Sequence, residues 1–209
     1  EKINLSSPHL VICPEPLMID NENYKFVIPI HMISFSLVVD IDKRVNSFLD
    51  IKNSNIMIYP ILGYSTILCT QVAKYYGAKK IVDFSFENWK NGYSILLLTN
   101  HTNTFINNLS QENRINILNW KDDSKLPEYN FPTLTNTTMN LNDYRLFDIN
   151  KIKTGYGYKL CLFANESFPE EAIYTITKSL IERGSNIRLS SVGGSKYIPY
   201  HNGARKYFE

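Results

Sequence analysis

The 209-residue sequence has few cysteines, no long apolar run and no strong excess of charge, and each shortage excludes a class of protein. The three cysteines are far apart and odd in number, so neither a disulfide framework nor a zinc-binding spacing is predicted. The longest apolar runs, Phe35–Val39 and Ile95–Leu98, are strand-sized and far below the roughly 20 residues of a membrane-spanning helix. A net charge of +2 with no basic stripe argues against nucleic acid as a partner.

Alanine and glycine are scarce, whereas Asn, Ile, Lys and Tyr are abundant, which we interpret as the base composition of an AT-rich genome. The apolar fraction of 44% and the charged fraction of 20% are typical of a soluble globular protein. The length allows one large domain or two small lobes. The chain opens on polar Glu1–Asn4 without a signal peptide, so we expect a leader that was removed or a piece of a longer protein.

Short apolar runs alternate with helical patterns, which predicts an α/β protein with a sheet rich in parallel strands. We expect Ile56–Ile58 and Ile95–Leu98 to share one sheet, with a helix from about Ser65 packed on it. Residues 120–138 are predicted to be irregular. The predicted strands are 10–13, 25–30, 35–39, 55–59, 81–84, 93–99, 115–118 and 159–164, and the helices begin near residues 45, 63, 85, 105 and 167.

The closing stretch 197–209 carries Tyr200, His201, Gly203 and Ala204 ahead of a helix that includes Tyr207 and Glu209. This string resembles the C-terminal signature of the TAXI family of extracytoplasmic solute receptors, which supply TRAP-type transporters. Asn202 stands where that family usually has Pro.

Further pieces are similar to TAXI elements in the same order along the chain, so the resemblance covers Tyr24 to Glu209. Two departures accompany it: Tyr64 and Ser65 replace the family's Ser and Gly, and the family's Gly-rich first loop has no counterpart. The matching pieces are Ile30–Val39, Phe48–Lys52, Gly63–Thr66, Lys90–Ser94, Phe131–Pro132 with Thr137, Thr138 and Tyr144, and Phe168–Leu180.

The resemblance implies an α/β fold of the periplasmic-binding-protein type II kind. This fold has two lobes with parallel-rich sheets, and the first lobe is expected to be incomplete here. We expect residues 1–39 to form a first-lobe remnant and hinge strand, 40–144 the second lobe, and 145–209 the return to the hinge and the C-terminal helices. The chain should enter the second lobe through Phe35–Val39 and return near Lys153–Leu160.

The function implied by the resemblance is non-catalytic capture of a small anionic solute, such as glutamate or another organic acid. In the family, two lobes close on the ligand like a Venus flytrap and the solute passes to a TRAP membrane permease. The implied location is periplasmic or extracytoplasmic, with no cofactor and no enzymatic activity. An alternative is a degenerate relative that acts as a protein-interaction or surface-antigen module.

The best candidate site is the loop of Gly63, Tyr64, Ser65 and Thr66, because amides at a helix N-terminus bind carboxylates or phosphates. A plain helix cap is the alternative. Thr137, Thr138 and Tyr144 are expected on a loop, where their hydroxyls could donate to a ligand or serve turn chemistry. The histidines at 31, 101 and 201 lie too far apart in sequence to predict a metal site.

Overall fold

A computed structural model describes residues 9–43, 45–60, 63–99, 104–120, 130–142, 152–183 and 194–209. The chain divides into two compact units. Unit 1 is built from the segments up to Met32 and from Tyr158 onward, and unit 2 is Ile33–Gly157. The points of division are 32/33 and 157/158, whereas the predicted boundaries follow residues 39 and 144.

Strands and helices alternate through the described part of the chain. The strands are β1 (Leu10–Pro14), β2 (Tyr24–Asp40), β3 (Asn55–Ile58), β4 (Lys80–Asp83), β5 (Ser94–Thr99), β6 (Ile115–Asn119), β7 (Thr135–Asn140) and β8 (Ile152–Asn165). The α-helices are α1 (Gly63–Tyr75), α2 (Phe86–Lys90), α3 (Thr104–Glu112), α4 (Glu170–Arg183) and α5 (Asn202–Phe208), and short 3-10 helices cover Glu15–Leu17 and Phe48–Ile51.

In unit 2 the strands run in the order β4-β3-β5-β2-β6. Strand β3 is parallel to β4 and to β5, whereas β2 is antiparallel to β5 and to β6. Met57 lies opposite Ile95, and Ile58 lies opposite Leu96, so the two apolar runs share one sheet as predicted. Helix α1 packs on β3 and β5, which confirms the second part of that prediction.

Local sequence explains the central elements of unit 2. All six residues of β5 are buried, as expected for a strand covered on both faces. Helix α1 ends ahead of Gly77, whose φ of 72° is the left-handed conformation that commonly ends helices. Ser85 caps α2, because its hydroxyl accepts a hydrogen bond from the Asn88 amide at 3.1 Å.

The predicted α/β class is confirmed, and the sheet is mixed, with parallel and antiparallel pairs. In unit 2, strands β3, β4 and β5 are parallel to one another and each is followed by a helix. The antiparallel strand beside them, β2, is also the strand through which the chain enters the unit. Parallel strands joined by helices are the expected consequence of the alternating pattern in the sequence.

Two expectations for single elements were wrong. Strand β2 is one strand of 17 residues, not two separate strands, and it continues through Pro29 and the less apolar segment after it. Thr137 and Thr138 lie in β7, not in a loop, and β7 pairs with β8 in antiparallel register. The sequence of β7 is polar, but its threonines are β-branched and suit a pleated strand.

In unit 1, β8 is buried on both faces. Cys161 and Phe163 belong to one apolar cluster, and Leu162 and Ala164 belong to another. This alternation follows from the two-residue period of a strand. The second cluster includes Ile173 of α4 and Ala204 of α5, so both C-terminal helices cover the same face of the strand.

Candidate functional site

The candidate site in unit 2 lies where β3, β4 and β5 end. Ligands of α/β proteins bind outside the carboxyl ends of parallel strands, because the following helices begin there. Tyr59 follows β3, Phe84 follows β4, and helix α1 starts at Gly63. The N-termini of the helices that follow, and the residues directly after the three strands, therefore lie at this end of the unit.

Gly63 to Thr66 form the first turn of α1, so their amides have no acceptor within the helix. The first turn contains no acidic side chain that would compete with an anion. Gly63 is exposed, and a Cβ placed on it would meet no atom of the described residues within 4 Å. The backbone of this turn is therefore open on the Gly63 side, and the helix dipole gives it a partial positive charge.

Ser65 is fully buried, and its hydroxyl donates to the carbonyl oxygen of Leu98 at 3.4 Å. This bond fixes the first turn of α1 against the end of β5. Tyr64 and Thr66 are half-buried. Ser65 is thus a residue that positions the turn, and the hydroxyl of Thr66 is the more accessible of the two.

Thr137 and Thr138 occupy opposite faces of β7. Thr137 is buried and accepts a hydrogen bond at Oγ1 from the hydroxyl of Ser34, at 3.0 Å. Thr138 is exposed. Tyr144, the third residue predicted in this group, lies outside the described residues.

The two predicted groups converge on the end of β5. Leu98, the acceptor for Ser65, is followed by Thr99, and Thr99 lies opposite Ser34 in the β2–β5 pair. Ser34 in turn donates to Thr137. Ser65 and Thr137 are about 70 positions apart in sequence. They are therefore connected through Leu98 and Thr99 of β5 and Ser34 of β2.

An aromatic group at the same edge was not identified from the sequence. Tyr59 and Phe105 are stacked with ring centroids 3.8 Å apart, and Phe84 packs edge-on at 5.3 Å from Tyr59 and 4.9 Å from Phe105. Offset and edge-to-face aromatic pairs stabilise one another beyond their buried area. The signal in the sequence was that Tyr59 and Phe84 each directly follow a parallel strand.

The described residues include no group of three or more His, Cys, Asp or Glu side chains that could hold a metal ion. Among the helices that the structure describes, none is both long and apolar enough to cross a membrane. A depression of about 410 Å³ on unit 1 is lined in part by Lys25, Glu166 and Tyr197, and none of the predicted site residues lines it. The charge of Lys25 there is matched by Glu166 at 3.6 Å.

The C-terminal motif that carries the resemblance holds two helices of unit 1 together. His201 caps α5, because its Nδ1 accepts from the Gly203 amide at 3.2 Å. A Cβ on Gly203 would lie 2.1 Å from the carbonyl oxygen of Glu170, so only glycine permits this approach to α4. Asn202 donates to the Glu170 carboxylate at 2.9 Å. Through these contacts the motif packs α5 against α4 in unit 1.

The sequence profile of the NMT1-like family matches residues 19–209, and the chain belongs to this family. No curated protein sequence matches the chain.

Among solved structures, the GluR0 ligand-binding core in complex with L-glutamate is 10% identical, with 84% of this chain and 68% of that chain covered and a TM-score of 0.49. The arginine-, lysine-, histidine-binding protein ArtJ from Geobacillus stearothermophilus is 11% identical, with 84% and 63% covered and a TM-score of 0.46. A substrate-binding protein of an amino acid ABC transporter is 14% identical, with 85% and 67% covered and a TM-score of 0.47. The chain thus spans about two thirds of the length of these structures.

Proposed function

We propose that this protein is an extracytoplasmic solute receptor that binds a small anionic solute, such as glutamate or another organic acid, for a TRAP-type transporter. It acts by binding and release, without catalysis, and it works in the periplasm or at the outer face of the membrane. Membership of the NMT1-like family, the α/β fold and the resemblance to TAXI receptors support this proposal.

The observation that carries the proposal is the open first turn of α1 at Gly63. Amides without intrahelical acceptors, the positive end of the helix dipole and the absence of an acidic side chain in that turn together favour a carboxylate. Tyr64 and Thr66 in this turn, and Thr138 on β7, are the predicted residues whose side chains remain at least partly accessible. The neighbouring aromatic rings of Tyr59 and Phe105 supply apolar surface for the carbon skeleton of a ligand.

Calorimetric titration with L-glutamate and dicarboxylic acids, and with L-glutamine and L-arginine for comparison, tests the proposal. A matched pair of variants makes the test specific to the turn: Gly63→Glu adds a negative charge, and Gly63→Gln adds nearly the same volume without charge. We expect Gly63→Glu to weaken binding of the acids at least tenfold more than Gly63→Gln does, which corresponds to about 1.4 kcal/mol.

Gly63→Glu should leave folding intact, because a carboxylate in the first turn of a helix interacts favourably with the dipole. Circular dichroism and urea unfolding verify this. Equal affinity of the two variants for glutamate would contradict an anion site at Gly63. Tighter binding of arginine than of glutamate would contradict the proposed class of solute.

A second candidate is a degenerate relative that serves as a protein-interaction or surface-antigen module. The internal bonds of Ser65 and Thr137 favour it, because two hydroxyls predicted to contact a ligand donate or accept within unit 2. This candidate would be supported if no solute produced a heat of binding in the titration while the chain still unfolded cooperatively. Micromolar binding of an organic acid would reject it.

A further inference from the structure

Two of the three cysteines face each other across neighbouring strands of unit 1. Cys13 of β1 lies directly opposite Cys161 of β8 in antiparallel register. Residues that are directly opposed in such a pair project their side chains to the same face of the sheet. Both cysteines accordingly belong to one apolar cluster, together with Phe26 and Phe163, and both are present as free thiols.

The backbone spacing at this pair suits a disulfide. The amide of Asn165 donates to the carbonyl of His9 at 2.9 Å, and hydrogen-bonded pairs recur at every second residue of an antiparallel ladder. Cys13 and Cys161 therefore fall at a hydrogen-bonded pair, where the Cα atoms are about 5.5 Å apart. Disulfides join residues with Cα separations of about 4.4–6.8 Å, so the Cα spacing of this pair lies within the range of disulfides.

The surroundings keep the pair protonated in its reduced form. Burial raises the pKa of Cys13 to about 12. Burial also raises the pKa of Cys161, and the Glu15 carboxylate adds to the effect. Glu15 is itself buried, and among the described residues its Oε1 has no hydrogen-bond partner. A negative charge beside a thiol disfavours the thiolate but does not disfavour a neutral disulfide.

We propose that Cys13 and Cys161 are a disulfide-forming site that cross-links β1 to β8 when the protein meets a disulfide oxidant. The third cysteine, Cys69, is buried within α1 in unit 2 and takes no part.

The reaction is two successive thiol–disulfide exchanges. Cys13, the less buried of the two, loses its proton to solvent, and its sulfur attacks one sulfur of the oxidant, which breaks the S–S bond of the oxidant and releases one thiolate. The sulfur of Cys161 then attacks the sulfur of Cys13 in the mixed disulfide and releases the second thiolate. The two cysteines lose two electrons and two protons in total, and the oxidant is reduced to two thiols.

Thiol counting on the 209-residue protein tests the site. The folded protein is incubated with oxidised glutathione, and a second sample is refolded from urea in a glutathione redox mixture so that the buried sulfurs are reachable. Free thiols are then counted under denaturing conditions. We expect the count to fall from three to one in the wild type and from two to none in Cys69→Ala.

Cys13→Ala and Cys161→Ala are the matched controls, and each should keep both of its remaining thiols in monomeric protein. A peptide map without reductant should show Cys13 joined to Cys161. Three free thiols in both wild-type samples would overturn the proposal. A cross-link that includes Cys69, or one between two molecules, would overturn it as well.

Discussion

Gly203 lies where α5 meets α4, and its missing side chain is a packing requirement. A Cβ at this position would come within 2.1 Å of the Glu170 carbonyl oxygen and 2.9 Å of Ile173 Cβ. We predict that Gly203→Ala destabilises the protein by about 1–3 kcal/mol, because overpacking forces backbone shifts. Urea unfolding followed by circular dichroism measures the change.

Gly63→Ala is the control for this prediction, since a Cβ at Gly63 meets no atom within 4 Å in the part of the chain that the structure describes. Alanine is also the better helix former, so this variant should be unchanged or more stable by up to about 1 kcal/mol. Equal destabilisation by both substitutions would contradict the distinction between a packing glycine and an open one.

The sequence identifies candidate residues but not the direction of their side chains. Ser65 and Thr66 are adjacent hydroxyl residues at the start of a helix, and each suits an anion site. Only the packing of α1 on β5 turns Ser65 inward, toward the carbonyl of Leu98. The hydrogen bond between Ser34 and Thr137 could not be predicted from the sequence either, because the two residues are more than 100 positions apart.

At the scale of single elements, the end of α1 depends on the conformation of Gly77, two residues beyond the helix. Gly77 has φ of 72°, and a Cβ there would meet only Lys52 Cγ at 3.9 Å, an ordinary contact. We predict that Gly77→Ala costs about 1–2 kcal/mol of stability, because an L-residue pays this amount in the left-handed region. Thermal unfolding of the variant and of the wild type measures this loss of stability.

Gly77→Asn provides the comparison, because asparagine adopts left-handed backbone more readily than alanine. It should lose less stability than Gly77→Ala even though its side chain is larger. If asparagine proved the worse substitution, side-chain volume at this turn would be the cause and the conformational argument would fail.

Elements with strong local signals were predictable. Strand β5 is a continuous apolar run, and α1 is bounded by Gly63 and Gly77. Strand β7 was missed because no apolar alternation marks it, and its strand conformation comes from pairing with β8. Strand β2 was divided into two because Pro29 and the residues after it suggest an interruption, whereas the strand is continuous.

At the scale of the whole molecule, the three buried thiols make stability depend on pH. Burial raises the thiol pKa of Cys13, Cys69 and Cys161 above the ordinary value of 9.0. Above about pH 9 the unfolded chain loses these protons while the folded protein keeps them. We predict that the free energy of unfolding of the reduced protein falls by about 1.4 kcal/mol per pH unit for each thiol, up to about pH 12.

Urea unfolding at several values between about pH 8 and pH 11, in the presence of reductant, measures this slope. The free energy of unfolding of Cys69→Ala should decline less steeply with pH than that of the wild type, by the contribution of one thiol. Lys43, whose pKa is lowered mainly by burial, acts with the opposite sign, but it is common to both proteins and cancels in the comparison. Identical slopes would contradict a role for the Cys69 thiol.

The division into units and the strand pairings between distant segments are properties of the whole chain that local patterns do not encode. The expectation that the chain leaves and re-enters one lobe came from the resemblance alone. The sequence did not indicate that Cys13 and Cys161 would be opposite one another. Register between strands so far apart is set by the packing of both faces of β8, which no short window contains.

Unit 1 is assembled from both ends of the chain, and unit 2 is one uninterrupted segment. On the ribosome, therefore, all of unit 2 is synthesised before β1 meets the part of β8 that pairs with it. At about 5–20 residues per second, the stretch from Cys13 to Cys161 takes roughly 7–30 s to synthesise. Throughout that interval the Cys13 thiol has no opposite cysteine. Its first chance to react with another molecule thus comes before Cys161 has been added to the chain.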